Sequence, residues 1–137
     1  MRRFIAIGVI AAVGLTGCAG GGASTAPSPI ASSTPTVVVI SASDDMKFSP
    51  ATVSVKAGEA VIFRVKNVGK IPHAFMVGPT AAVEAAGGAG TAETGDIEGS
   101  QTKDLPFAFG STGTFAFACH VPGHFESGMK GTVTLAP

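Results

Sequence analysis

Three side chains in one short stretch have the types and spacing to hold a metal ion. In residues 115–131, FAFACHVPGHFESGMKG, Cys119, His124 and Met129 follow one another with four residues in each gap. Thiolate and thioether are soft ligands and imidazole is borderline, so a site that mixes them favours copper over hard cations that prefer carboxylate oxygen. Pro122, Gly123, Gly128 and Gly131 make the stretch a tight loop able to turn all three side chains inward. A second imidazole would complete a trigonal set with a weak axial sulfur, and the chain has three histidines, His73, His120 and His124. His73 follows a strand-like run about as far upstream as a Greek-key fold requires. His120 directly follows Cys119, and neighbours on an extended chain point to opposite faces, so it is read as a non-ligand. Met46, within DDMKFSP at 44–50, is read as a turn or core residue, because filling gaps is the commoner use of Met.

Pro72-His73, the Cys119, His124, Met129 triplet and the Gly-Met-Lys-Gly exit at 128–131 resemble the type 1 (blue) copper proteins, or cupredoxins. The C-x4-H-x4-M spacing is closest to auracyanin and rusticyanin, and the resemblance covers residues 37–135. It implies one copper ion held by His73, Cys119 and His124 with Met129 as the axial ligand, cycling between Cu(II) and Cu(I). One departure stands out. Plastocyanin and azurin carry Asn after the first histidine ligand, and its side chain ties that loop to the cysteine loop. This chain has Ala74 there, so that tie is missing, although the Ala74 N–H remains able to donate to the thiolate.

Short β-branched and aromatic runs separated by Gly, Pro, Asn and Asp predict strands at 36–42, 52–56, 60–67, 73–77, 114–119 and 132–135. Val61, Phe63 and Val65 share one face by period-two alternation, as do Phe115, Phe117 and Cys119, which aims the thiol inward beside two core rings. The pattern predicts an all-β Greek-key sandwich of seven to eight strands, cupredoxin-like, with its turns at the two ends. Lys56-Ala57-Gly58-Glu59 reads as a hairpin turn. Residues 80–86 are alanine-rich and predict one or two helical turns ended by Gly87-Gly88, followed by a flexible acidic loop. Residues 101–107 return to the sheet, and Pro106 confines that run to an edge or a strand end.

Length and composition bound the rest. The 137 residues suit one domain of about 100 residues with an appendage. Nine Lys and Arg balance nine Asp and Glu, which leaves no basic footprint for nucleic acid. Arg2 and Arg3, the apolar run 4–13 and Leu15-Thr16-Gly17-Cys18 read as an export leader at 1–17 of the lipoprotein type, with Cys18 acylated. An ordinary signal peptide cleaved near Ala19 or Ala23 is the alternative. With Cys18 acylated, Cys119 would be an unpaired thiol in an exported protein, and metal ligation explains it. Residues 18–36 are Gly, Ala, Ser, Thr and Pro with little apolar bulk and read as a disordered tether, which leaves 37–137 as the cupredoxin domain.

The leading expectation is an exported, membrane-tethered, monomeric one-electron carrier that serves redox protein partners and is not an enzyme. An exported copper delivery, storage or tolerance protein with the same site is the alternative. An enzyme akin to the copper nitrite reductases or multicopper oxidases needs a further histidine-rich centre, which three histidines do not supply. Glu84, Glu93, Asp96, Glu98 and Asp104 gather around the long loop and read as a solvated face, with a docking patch for a cationic partner as the other reading.

Overall fold

The computed structural model describes residues 34–137. The expected leader at 1–17, the acylation site Cys18 and all but the last three residues of the expected tether at 18–36 lie outside the described residues.

Among the described residues the chain forms β1 (Thr36–Ser43), β2 (Lys47–Ser49), β3 (Thr52–Lys56), β4 (Ala60–Asn67), β5 (Met76–Pro79), α1 (Thr80–Glu84), β6 (Ala92–Glu93), β7 (Thr102–Ala108), β8 (Phe115–Ala118) and β9 (Lys130–Ala136). Two sheets result, one ordered β2-β1-β4-β7 and the other β3-β9-β8-β5-β6. β1 runs parallel to β4, and β3 runs parallel to β9. Parallel neighbours cannot be joined by a tight hairpin, so the chain crosses between layers as a Greek-key sandwich does.

The fold class is as expected, with nine strands where seven to eight were predicted. The additional ones are β2 and β6, of three and two residues, too short to show a periodicity. The turn at 56–59 is tight, with Glu59 N–H donating to the Lys56 carbonyl at 3.1 Å and Gly58 at φ +75°. It is not a hairpin turn, however. β3 pairs with β9 in one sheet, whereas β4 pairs with β1 and β7 in the other, so the turn carries the chain from layer to layer.

Alternation decides which residues make the core. Val61, Phe63 and Val65 on β4 are each at most 1% exposed. β8 is buried on both faces: Phe117 and Cys119 point between the sheets, while Ala116 and Ala118 pack with Met76 and Val83. Small alanines let the single turn of α1 lie close against the sheet, and Val83 is the helix residue that it buries. Phe48, Phe75 and Phe117 meet with ring centroids 5.2 to 5.6 Å apart, which locks both sheets around β5 and β8. Each such ring contributes about 1.5–3 kcal/mol through burial. Gly131 sits where a Cβ would overlap the Phe117 ring, so this close approach requires glycine. β7 has β4 as its one partner and therefore forms a sheet edge, the place where Pro106 is tolerated.

The segment expected to be a flexible acidic loop is instead tied to the sheet. Ala92 and Glu93 pair with Val77 and Met76, Thr94 N–H donates to the Phe75 carbonyl at 3.0 Å, and Ile97 is fully buried. The strand expected at 73–77 is correspondingly displaced to Met76–Pro79, and His73 forms an isolated bridge with Ile97. Residues 94–97 compete for the backbone of 73–75, and their hydrogen bonds take the place of a regular ladder.

Candidate metal centre

Two segments bring donors together at one end of the sandwich. β8 delivers Cys119 at its end, and the loop from 119 to 129 returns the chain to β9. That loop is a set of interlocking turns: His124 N–H donates to Val121 O at 3.0 Å, Ser127 N–H to Gly123 O at 3.2 Å and Gly128 N–H to Phe125 O at 2.9 Å. Gly123 and Gly128, at φ +84° and +93°, supply the left-handed residues that such turns require. The three expected loop ligands are also bonded through their backbones, since Cys119 N–H donates to Met129 O and Met129 N–H to His124 O, each at 3.0 Å.

His73 arrives from the other segment. Its Nδ1 lies 3.3 Å from Nδ1 of His124, and that nitrogen lies 3.5 Å from Cys119 Sγ. The donor atoms of His73, Cys119 and His124 all fall within 4.8 Å of one another. Two nitrogens about 2.0 Å from a common ion and about 120° apart are separated by about 3.5 Å, so the observed spacing fits a trigonal centre. The group is withdrawn from solvent: His73, Cys119 and Met129 are fully buried and His124 is 8% exposed. Two imidazole nitrogens facing each other beside a free thiol, with no carboxylate in the cluster, form a donor set chemically matched to copper.

The charge state suits metal uptake. Burial pushes the Cys119 thiol above its ordinary value, aided by the Asp96 and Glu93 carboxylates and opposed by hydrogen bonds from the Ala74 and Val121 N–H groups. A proton must therefore leave as a metal enters. Burial also holds His73 below the usual imidazole value, and His124 acts in the same direction. The His73 ring is thus neutral and ready to donate. Ala74 N–H donates to Cys119 Sγ at 3.3 Å, as the sequence allowed.

The other sequence-marked residues take different places. His120 bonds through Nε2 to the Val83 carbonyl at 2.7 Å and stacks on Phe125, so it is absent from the donor cluster. Met46 is a turn residue at φ +58° that packs against the core. Asp104 is engaged by Arg64 in a two-pronged pair at 2.7 and 2.9 Å, while Glu84, Glu93, Asp96 and Glu98 are solvent-exposed.

The tie that Ala74 cannot make is made elsewhere. Asn67 is fully buried, and its amide donates to the carbonyls of Ile71 at 2.7 Å and Ile97 at 2.8 Å while its oxygen accepts from Gly69 N–H at 2.9 Å. His73 and Ile97 exchange two backbone bonds, of 3.1 and 2.6 Å. Asp44 accepts from Lys70 N–H at 2.8 Å and from Ile71 N–H at 3.2 Å. The approach to His73 is therefore held from three directions. Sequence reasoning passed over Asn67 and Asp44, although one signal for Asn67 was present: it continues the inward series Val61, Phe63, Val65, and an inward polar residue needs partners.

Known proteins resemble this chain in sequence and in fold. The plastocyanin/azurin family of copper binding proteins matches residues 35–136. The copper-resistant cuproprotein CopI of Rubrivivax gelatinosus is 37% identical over 102 residues, covering 68% of this chain and 62% of that protein. The chain thus spans less than two thirds of that relative's length. CopI of Vibrio cholerae serotype O1 is 34% identical over 119 residues, covering 80% of this chain and 70% of its own. Among solved structures, the reduced auracyanin of the photosynthetic bacterium Roseiflexus castenholzii superposes with a TM-score of 0.65 at 20% identity, over 77% of this chain and all of that one. Because the family match runs almost from end to end of the described fold, the chain belongs to the plastocyanin/azurin family of copper binding proteins.

Proposed function

We propose that the chain is a one-electron carrier whose type 1 copper site would be held by His73, Cys119 and His124, with Met129 as the fourth donor. The observation that carries this reading is the closed donor set: three of the four side chains are fully buried and already bonded into a rigid frame. Copper bound there supplies the Cu(II)/Cu(I) couple. The frame keeps the donors in one geometry for both oxidation states, and the burial leaves no open position for a substrate, which favours a non-enzymatic role. His124, at 8% exposure, is the edge nearest solvent and the natural point of contact for a redox protein partner.

A second reading, copper tolerance, storage or delivery, is favoured by the relatives, which are copper-resistant cuproproteins. Holding and releasing Cu(I) separate a carrier from a delivery protein. The copper-loaded chain is to be reduced with ascorbate, challenged with a Cu(I) chelator and reoxidised. Return of the visible thiolate-to-Cu(II) charge-transfer band is the expected result. A folded apo-protein that regains the band only on added Cu(II) would replace electron transfer with delivery.

For location, the proposal is export and acylation at Cys18, supported by the Leu-Thr-Gly-Cys sequence at 15–18 after an apolar run. In the native host the protein is expected in the membrane fraction. A soluble main species beginning beyond Cys18 would overturn the anchor.

A further inference from the structure

His73 has two ring nitrogens, and the metal centre uses one of them. Nδ1 faces His124 Nδ1, so a metal bound through Nδ1 leaves the ring proton on Nε2. That Nε2 is buried and has no hydrogen-bond partner. A buried N–H without an acceptor costs about 1–3 kcal/mol, so the groups around it bear on the site. Among the described residues, the charged group beside it is Asp44, whose Oδ1 lies 3.9 Å away.

Asp44 is also not free to wander. Its carboxylate accepts from the N–H groups of Lys70 and Ile71, which fix its position. Gly69 lies so close that a Cβ there would overlap the carboxylate, so the 69–71 turn is shaped around this side chain. Those bonds fasten Asp44 to the segment that leads into His73. A movement of roughly 1 Å brings 3.9 Å into hydrogen-bond range.

The geometry points to Asp44 as a positioning residue for the copper site: its carboxylate accepts the His73 Nε2–H when Nδ1 binds copper. The inference rests on His73 ligating through Nδ1, the reading given above. Two consequences follow for the ion. A carboxylate on the far nitrogen orients the ring and makes Nδ1 a stronger donor. Its negative charge also favours Cu(II) over Cu(I), so it lowers the reduction potential.

The test uses the full copper-loaded chain carrying Asp44→Asn, which retains an oxygen for the Lys70 and Ile71 N–H groups and removes the charge. The visible band should persist while Cu(II) affinity falls about tenfold relative to Cu(I), a rise in potential of about 59 mV for one electron. An affinity ratio within about twofold of wild type in a folded variant would reduce Asp44 to a loop fastener and overturn the inference. Loss of the visible band in a folded variant would overturn it too, since the carboxylate would then be needed for loop geometry. Should the variant not fold, the Cu(I) form of the wild-type chain decides by NMR. The His73 Nε2–H is expected downfield and slow to exchange, and a proton at the position of a free imidazole sinks the proposal. Failure of the type 1 reading itself is detected separately, through the Cys119 substitution described below.

Discussion

Cys119→Ser is expected to abolish the intense visible absorption of the copper-loaded chain while leaving the fold intact. The band belongs to charge transfer from a thiolate to Cu(II), and a serine hydroxyl offers neither the soft sulfur nor an accessible anion. The substitution is small, and the Ala74 N–H that donates to Sγ at 3.3 Å has an oxygen to meet in its place. The apo-variant should therefore unfold within about 1–2 kcal/mol of wild type, the range of a buried hydroxyl with one partner. Absorption spectra of both chains after Cu(II) addition, with thermal unfolding of the apo-forms, supply the comparison. A variant that keeps the band would remove Cys119 from the coordination set, and a wild-type chain that binds copper without the band would return the site to a type 2 copper or zinc reading.

Asn67→Ala should produce the largest loss of stability among the residues that frame the centre. Asn67 is fully buried and serves three backbone groups, the carbonyls of Ile71 and Ile97 and the N–H of Gly69. Truncation leaves these unpaired at about 1–3 kcal/mol each, less where water can enter, so a total near 3 kcal/mol is expected. For a domain of this size that lowers the Tm by about 15 °C. Ile97 also exchanges both backbone bonds with His73, so the same change should loosen the copper site and weaken Cu(I) retention. Asn67→Asp is the sharper control. It keeps an acceptor for Gly69 but sets a carboxylate against two carbonyl oxygens, and it should be no better tolerated than Ala. A loss below about 1 kcal/mol for either variant would show that His73 is held by other means.

These two residues differ in how readable they were. Cys119 announces itself through type and spacing: a thiol, an imidazole and a thioether at equal gaps within a Gly- and Pro-rich turn have few other uses. Asn67 carries its meaning through register. It matters because β4 presents it to the interior beside Val65, and because residues 71 and 97 both place carbonyls there. Asp44 and Asp45 look alike along the chain, and only the path of the 69–71 turn distinguishes the one that meets His73.

Strand positions 52–56 and 60–67 were legible to the residue, because alternation along a half-buried strand is a local property of the chain. The partners of those strands were not. Lys56-Ala57-Gly58-Glu59 has the chemistry of a tight turn whichever sheet receives the next strand, and a turn constrains only the few residues it bonds. That β3 joins β9 while β4 joins β1 follows from which faces must be buried against each other, a condition on residues as far as 80 positions apart, as Thr52 and Thr132 are. Likewise, the acidic segment after α1 carries no periodicity, and its order comes from the unpaired backbone of residues 73–75, which the tertiary fold places beside it. The sequence by itself determined the candidate donor types and the longer alternating strands with their inward faces, since these depend on side-chain chemistry and nearest neighbours. The tertiary structure alone decided what holds His73 in place, because buried backbone groups must be satisfied by whatever distant residues the fold brings within reach.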